Sequence, residues 1–144
     1  MKIAVDFDGT IVEHAYPKIG REMSFAFSTL KELQKQGHIL ILWTYRSGKE
    51  LDEAIDFCQK NGVGFYAINN SEPDEVFDQE KYSRKIDADV FIDDRNVGGF
   101  LGWSKIWQML NPHLYDGDGP LLNPTAHRNE DNKSIIRKIK DFFV

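Results

Sequence analysis

The chain has 144 residues and a net charge of −5, with the ordinary mixed composition of a globular domain long enough to bury a core without disulfides or structural metal. Its Lys and Arg residues are scattered, which argues against the basic face a nucleic-acid partner needs, and its single cysteine excludes a disulfide framework. The sequence lacks a signal-peptide pattern and any run of about 18 apolar residues, so it is expected in the cytoplasm, away from membranes.

In chain order, residues 3–5 of "KIAVDFDGTIV" read as a short buried strand that ends abruptly at Asp6. Asp6 and Asp8 are two positions apart, so on an extended backbone both carboxylates point the same way and repel unless something positive lies between them. "EHAYPKIGRE" at 13–22 reads as a loop. Met23, Ala26, Phe27, Leu30 and Leu33 then recur at helical spacing, with Ser24 placed to cap the start and Gly37 to end it. "HILILWT" at 38–44 is apolar at consecutive positions, as in a strand covered on both faces. "SGKE" at 47–50 is a capping box opening a second helix that runs to Asn61, within which Cys58 reads as a core residue beside Leu51, Ala54 and Ile55.

"GFYAIN" at 64–69 is a third strand, 70–84 is mostly loop, and "ADVFIDD" at 88–94 repeats the opening theme of an apolar strand ending in aspartates. A short helix is expected over Trp103–Leu110, an irregular wrap over 111–132, and a final helix with Ile135, Ile136, Ile139, Phe142 and Phe143 near one face. Strands alternating with helices imply a parallel sheet, and no repeat or linker divides 1–144, so one domain is expected, with its core at about 1–110.

In a parallel sheet the strand ends bearing Asp6 and Asp8, Thr44, and Asp93 and Asp94 open on one edge. Four carboxylates there need a cation, and an oxygen-only set selects Mg²⁺ over zinc. Mg²⁺ commonly shares its coordination with substrate phosphates, so a small phosphorylated substrate is implied.

The succession Asp-x-Asp-x-Thr, a strand ending in Thr, a lysine, and a strand ending in Asp-Asp resembles the haloacid dehalogenase superfamily of phosphohydrolases. "DFDGT" at 6–10 matches the first motif, "LILWT" at 40–44 the second, Lys85 the third and "VFIDD" at 90–94 the fourth, over about residues 1–110. The resemblance implies a Rossmann-like three-layer α/β/α fold and a Mg²⁺-dependent phosphatase working through an aspartyl phosphate. It makes Asp6 the nucleophile and Asp8 the acid and base, whose backbone carbonyl also binds the metal. Thr44 would hydrogen-bond the transferring phosphoryl group, Lys85 would balance its charge, and Asp6, Asp8, Asp93 and Asp94 would form the metal site. Lys81 and Arg84 stand close enough in sequence to compete with Lys85 for its role.

Thr10, Arg46 and Arg95 complete the set as substrate-binding candidates; each arginine follows a site strand and could grip an anion through a bidentate fork, although loop arginines are commonly just solvated. His14, Tyr16, Trp43, Trp103 and Trp107 read as core or loop packing. The gaps between motifs leave no room for an inserted cap domain, so the site should be open, guarded at most by the loop at 13–22, the C-terminal wrap or a second subunit. An open site also suits a macromolecular phosphate. A signalling receiver domain gathers similar residues, but places its acidic pair on the first strand, whereas here Asp-x-Asp comes first and the pair last.

Overall fold

β1 (Lys2–Val5), β2 (Ile39–Leu42), β3 (Ala67–Ile68) and β4 (Val90–Ile92) pair in parallel, in the order β3-β2-β1-β4. In the computed structural model, which describes residues 1–115, helices α1 (Ala26–Lys35) and α2 (Gly48–Lys60) link the first three strands, and α3 (Trp103–Leu110) follows β4. The architecture is α/β with an all-parallel, Rossmann-like sheet, as the alternation of elements predicts. The chain divides into two compact units, Met1–Trp103 and Ser104–Val144, with the boundary inside α3. The wrap beyond residue 115 and the final helix around Ile135 to Phe143 lie outside the described residues.

Both faces of the sheet are covered, which is why its strands read as continuous apolar runs. Ala4 pairs with Ile41, and Ile41 with Ala67; these three form a buried cluster with Ile86, and Trp43, Ala88 and Phe91 pack against it. The alternate residues Ile3, Val5, Leu40 and Leu42 are buried on the opposite face. Burying each such side chain contributes roughly 1.5–3 kcal/mol. Phe57 of α2 meets both Phe27 of α1, at 5.7 Å between ring centroids, and Phe7, at 6.3 Å, so the two helices lock onto the segment that follows β1. Cys58 is buried, as its helical spacing predicts, and burial pushes its thiol up to about 12.

At the start of α1 a neighbour takes the role that the local signal gives to Ser24. Ser24 makes no cap; Phe25 occupies the N-cap position in the left-handed region, and Glu22 accepts the Phe27 N–H at 3.2 Å in its place. Ser47 does stand at the N-cap of α2, but its side chain makes no capping bond. Gly37 and Gly62 end their helices in the left-handed conformation, as glycine allows. Only Ala67 and Ile68 of the third predicted strand join the ladder, where β2 is their one partner among the described residues. Among the described residues, no helix is long and apolar enough to cross a membrane.

Candidate functional site

The chain runs from β1 to β2 to β3 on one side and then crosses to place β4 on the other side of β1. The carboxyl ends of β1 and β4 therefore flank the point where strand order reverses, the crevice at which open α/β sheets bind ligands. Asp6 directly follows β1, and its N–H still donates to Ile92 O at 2.9 Å; Asp93 and Asp94 directly follow β4. The sheet thus delivers all three carboxylates to one place. One oxygen from each lies within 4.8 Å of the others, close enough to hold a metal ion.

Each aspartate is set differently. Asp6 Oδ2 accepts the Thr10 hydroxyl at 3.0 Å, and Thr10 O in turn accepts Trp103 Nε1–H at 2.8 Å. Burial, followed by the charge of Asp93, pushes Asp6 up to about 7, against the opposing pull of Thr10 and the Phe7 N–H. Burial works to raise Asp94, but the hydrogen bond and charge supplied by His14, whose Nε2 lies 2.7 Å from Asp94 Oδ2, together with Asp6 and Asp93, hold that carboxyl below its ordinary value. Asp94 Oδ1 is buried with no hydrogen-bond partner. A buried carboxylate oxygen left bare is costly unless a cation meets it, and the all-carboxylate donor set fits a hard divalent ion. Asp93 Oδ1 accepts the Arg95 N–H at 2.8 Å.

Asp8 does not join this cluster. The chain turns just past it, at Gly9 (φ +84°). A Cβ on Gly9 would overlap Asp94 Oδ2 and His14 Nε2, so only glycine lets this turn close on the site. The positive group that Asp8 meets is Arg46, whose Nε and Nη2 donate to its two oxygens at 2.7 Å each. Spacing predicts four converging carboxylates; three converge, and a guanidinium holds the fourth.

The substrate-binding candidates divide similarly. Arg46 is 2% exposed and fully engaged inside the protein, unlike the anion-gripping surface residue its position suggests. Thr10 is fully buried and holds Asp6. Arg95 is exposed beside the site. Thr44, just beyond β2, receives the Arg46 N–H on Oγ1 at 3.2 Å and donates its own N–H to Asn69 Oδ1 at 2.8 Å. Of the three basic residues competing for one role, Lys81 pairs with Asp78 at 3.3 Å and Arg84 stacks on Phe77, whereas Lys85 is exposed with its side chain unengaged among the described residues.

Two contacts escape sequence reasoning: His14 on Asp94, and Tyr16 on Arg46, its ring centroid 5.2 Å from the guanidinium carbon. Both residues lie in the loop at 13–22, which folds back through an antiparallel bridge between Val12 and Glu22 and a Glu13 N–H to Arg21 O bond of 2.8 Å. Only the presence of His and Tyr in a loop straight after the motif hinted at them.

No family model and no curated protein matches the chain. A solved structure of a conserved protein from Bacteroides thetaiotaomicron is similar to it, with 55% identity over 78% of this chain and 90% of that one, and a TM-score of 0.74. At that identity and coverage, the chain belongs to the same family as the conserved Bacteroides protein.

Proposed function

We propose that the protein is a Mg²⁺-dependent phosphatase that hydrolyses a small phosphate monoester through an aspartyl phosphate on Asp6, on a three-layer α/β/α fold without a cap domain. The observation that carries this reading is the three-carboxylate cluster at the β1/β4 crevice, with Asp94 Oδ1 buried and bare. Asp6, Asp93 and Asp94 would hold the ion. Mg²⁺, when bound, supplies positive charge to the phosphate oxygens and keeps Asp6 ionised.

The remaining steps belong to the chain. An Asp6 oxygen attacks phosphorus in line with the ester oxygen; the P–O ester bond breaks, and the leaving oxygen takes a proton from Asp8. Asp8 then takes a proton from water as that water attacks the acyl phosphate, which frees Asp6 and inorganic phosphate. Each Asp8 oxygen keeps an acceptor position beyond the one Arg46 occupies. Thr44 and Lys85 would meet the equatorial oxygens, where phosphoryl transfer concentrates its charge.

The test is a screen of phosphate esters with Mg²⁺, repeated with excess chelator. Turnover should require Mg²⁺, with zinc substituting poorly, since the donor set is oxygen only; full activity in chelator would overturn the reading. For the third motif, Lys85→Ala is expected to reduce kcat by about 100-fold or more, and Lys81→Ala to leave it within about threefold. The opposite pattern would transfer the role to Lys81.

A further inference from the structure

We infer that Arg46 is a positioning residue that ties the loop at Tyr16–Lys18 to the Asp8 carboxylate, so that Asp8 is aimed only while the loop is seated. Its guanidinium has five N–H groups and all five are engaged. Nε and Nη2 donate to Asp8 Oδ2 and Oδ1 at 2.7 Å; Nη2 also donates to Lys18 O at 2.7 Å, and Nη1 to Pro17 O at 3.1 Å and Glu50 O at 3.5 Å. Its guanidinium carbon also lies over two rings, 5.0 Å from the centroid of Phe7 and 5.2 Å from that of Tyr16. An arginine so enclosed has no donor left for a substrate.

A buried ion pair is a weak source of stability compared with apolar packing, so its distinctive product here is orientation. One rigid fork fixes the Asp8 carboxylate, and the same planar group fixes two consecutive loop carbonyls. Lysine, with one nitrogen, cannot make both attachments. The loop has a second, independent tie to the site, because His14 holds Asp94. A single segment thus reaches two of the site's aspartates, one directly and one through Arg46.

The first test needs no substrate. Trypsin cleaves after Lys18 by attacking the carbonyl that Arg46 holds. Cleavage there should rise about tenfold in Arg46→Ala and about threefold in Arg46→Lys and Asp8→Ala, while cleavage after Lys35 and Lys60, which end α1 and α2, stays as in the wild type. The Lys variant keeps the charge and serves if the Ala variant unfolds. Unchanged protection of Lys18 in Arg46→Lys or Asp8→Ala would overturn the inference.

The second test rests on the phosphatase reading and uses p-nitrophenyl phosphate with Mg²⁺. Arg46→Lys should reduce kcat by about 100-fold with KM within about threefold, added guanidinium should restore at least about tenfold to Arg46→Ala, and Arg46→Lys combined with Asp8→Ala should be no slower than Asp8→Ala alone. A KM raised about tenfold with kcat kept would mean that Arg46 touches substrate, and multiplicative losses would mean that it acts apart from Asp8; either overturns the inference. If the wild-type protein turns over no phosphate ester, the phosphatase reading fails and the protection of Lys18 alone decides the role of Arg46.

Discussion

Asp6→Asn should abolish turnover and, in chelator above pH 7, should make the protein more stable than the wild type. The first result follows from chemistry, because a neutral amide neither attacks phosphorus nor forms an acyl phosphate. The second follows from linkage. Asp6 has a folded-state pKa of about 7, raised from 3.8, so the fold favours its protonated form. That contribution is complete below about pH 4 and is lost as pH rises through 7. Above that the ionised carboxylate sits, desolvated, beside Asp93 at a cost of up to about 3 kcal/mol, on the order of 10 °C in Tm. Asparagine carries no such charge. The gap in Tm between variant and wild type should therefore be near zero at pH 4, open between pH 4 and 7, and level off at pH 8. Mg²⁺ should close it from the wild-type side, since a cation relieves the repulsion only where there is a charge to relieve. Parallel melting curves at pH 4 and pH 8 would mean that Asp6 is not the strained member of the cluster.

The other large effect is expected at Asp8, where the loss should depend on the leaving group. With an alkyl phosphate, whose departing oxygen needs a proton, removing the acid should cost about 10²–10⁴-fold. An acidic phenol departs without help, so the first step survives; the second step lacks its base and phosphate should collect on Asp6. This would appear as a phenol burst stoichiometric with enzyme and as added phosphate mass on the peptide holding Asp6. The structure governs the choice of variant. Asp8→Ala strands a guanidinium whose side chain is 1% exposed, which can cost about 3–5 kcal/mol. Asp8→Asn keeps one acceptor for Arg46 while removing the acid, so the two variants should be run together with a metal titration. Equal losses on every leaving group, with metal bound and no covalent phosphate, would remove Asp8 from the proton-transfer role.

The legible parts of this chain were those governed by local rules. The strands ending at Asp6 and Asp93 announced themselves because burial on both sheet faces demands unbroken apolar runs, and α3 spans Trp103–Leu110, as expected. The convergence of Asp6, Asp93 and Asp94 also followed from sequence, since parallel strands share one carboxyl edge. The partner of each carboxylate was harder to read. Asp8 stands only two residues past Asp6, yet its carboxylate meets Arg46, 38 residues further along, and no spacing rule reports which cation a side chain will meet across such a separation. His14 and Tyr16 were illegible for a related reason: their contacts depend on the path of a loop that closes across sequence separations of 80 and 30 residues. Ser24 shows the reverse failure, a sound local signal whose place is taken by Glu22, which accepts the Phe27 N–H.

The bond from Trp103 Nε1 to Thr10 O gives the protein a built-in optical probe. Thr10 holds Asp6, so the indole is one residue removed from the carboxylate expected to change charge when a cation arrives. Indole emission responds to nearby fields and to the strength of its N–H bond, and Trp103 is 1% exposed, shielded from the solvent quenching that blurs surface tryptophans. With Trp43 and Trp107 replaced by phenylalanine, the remaining emission would report ion binding in unlabelled protein, at equilibrium and on the millisecond scale of a stopped-flow mixer.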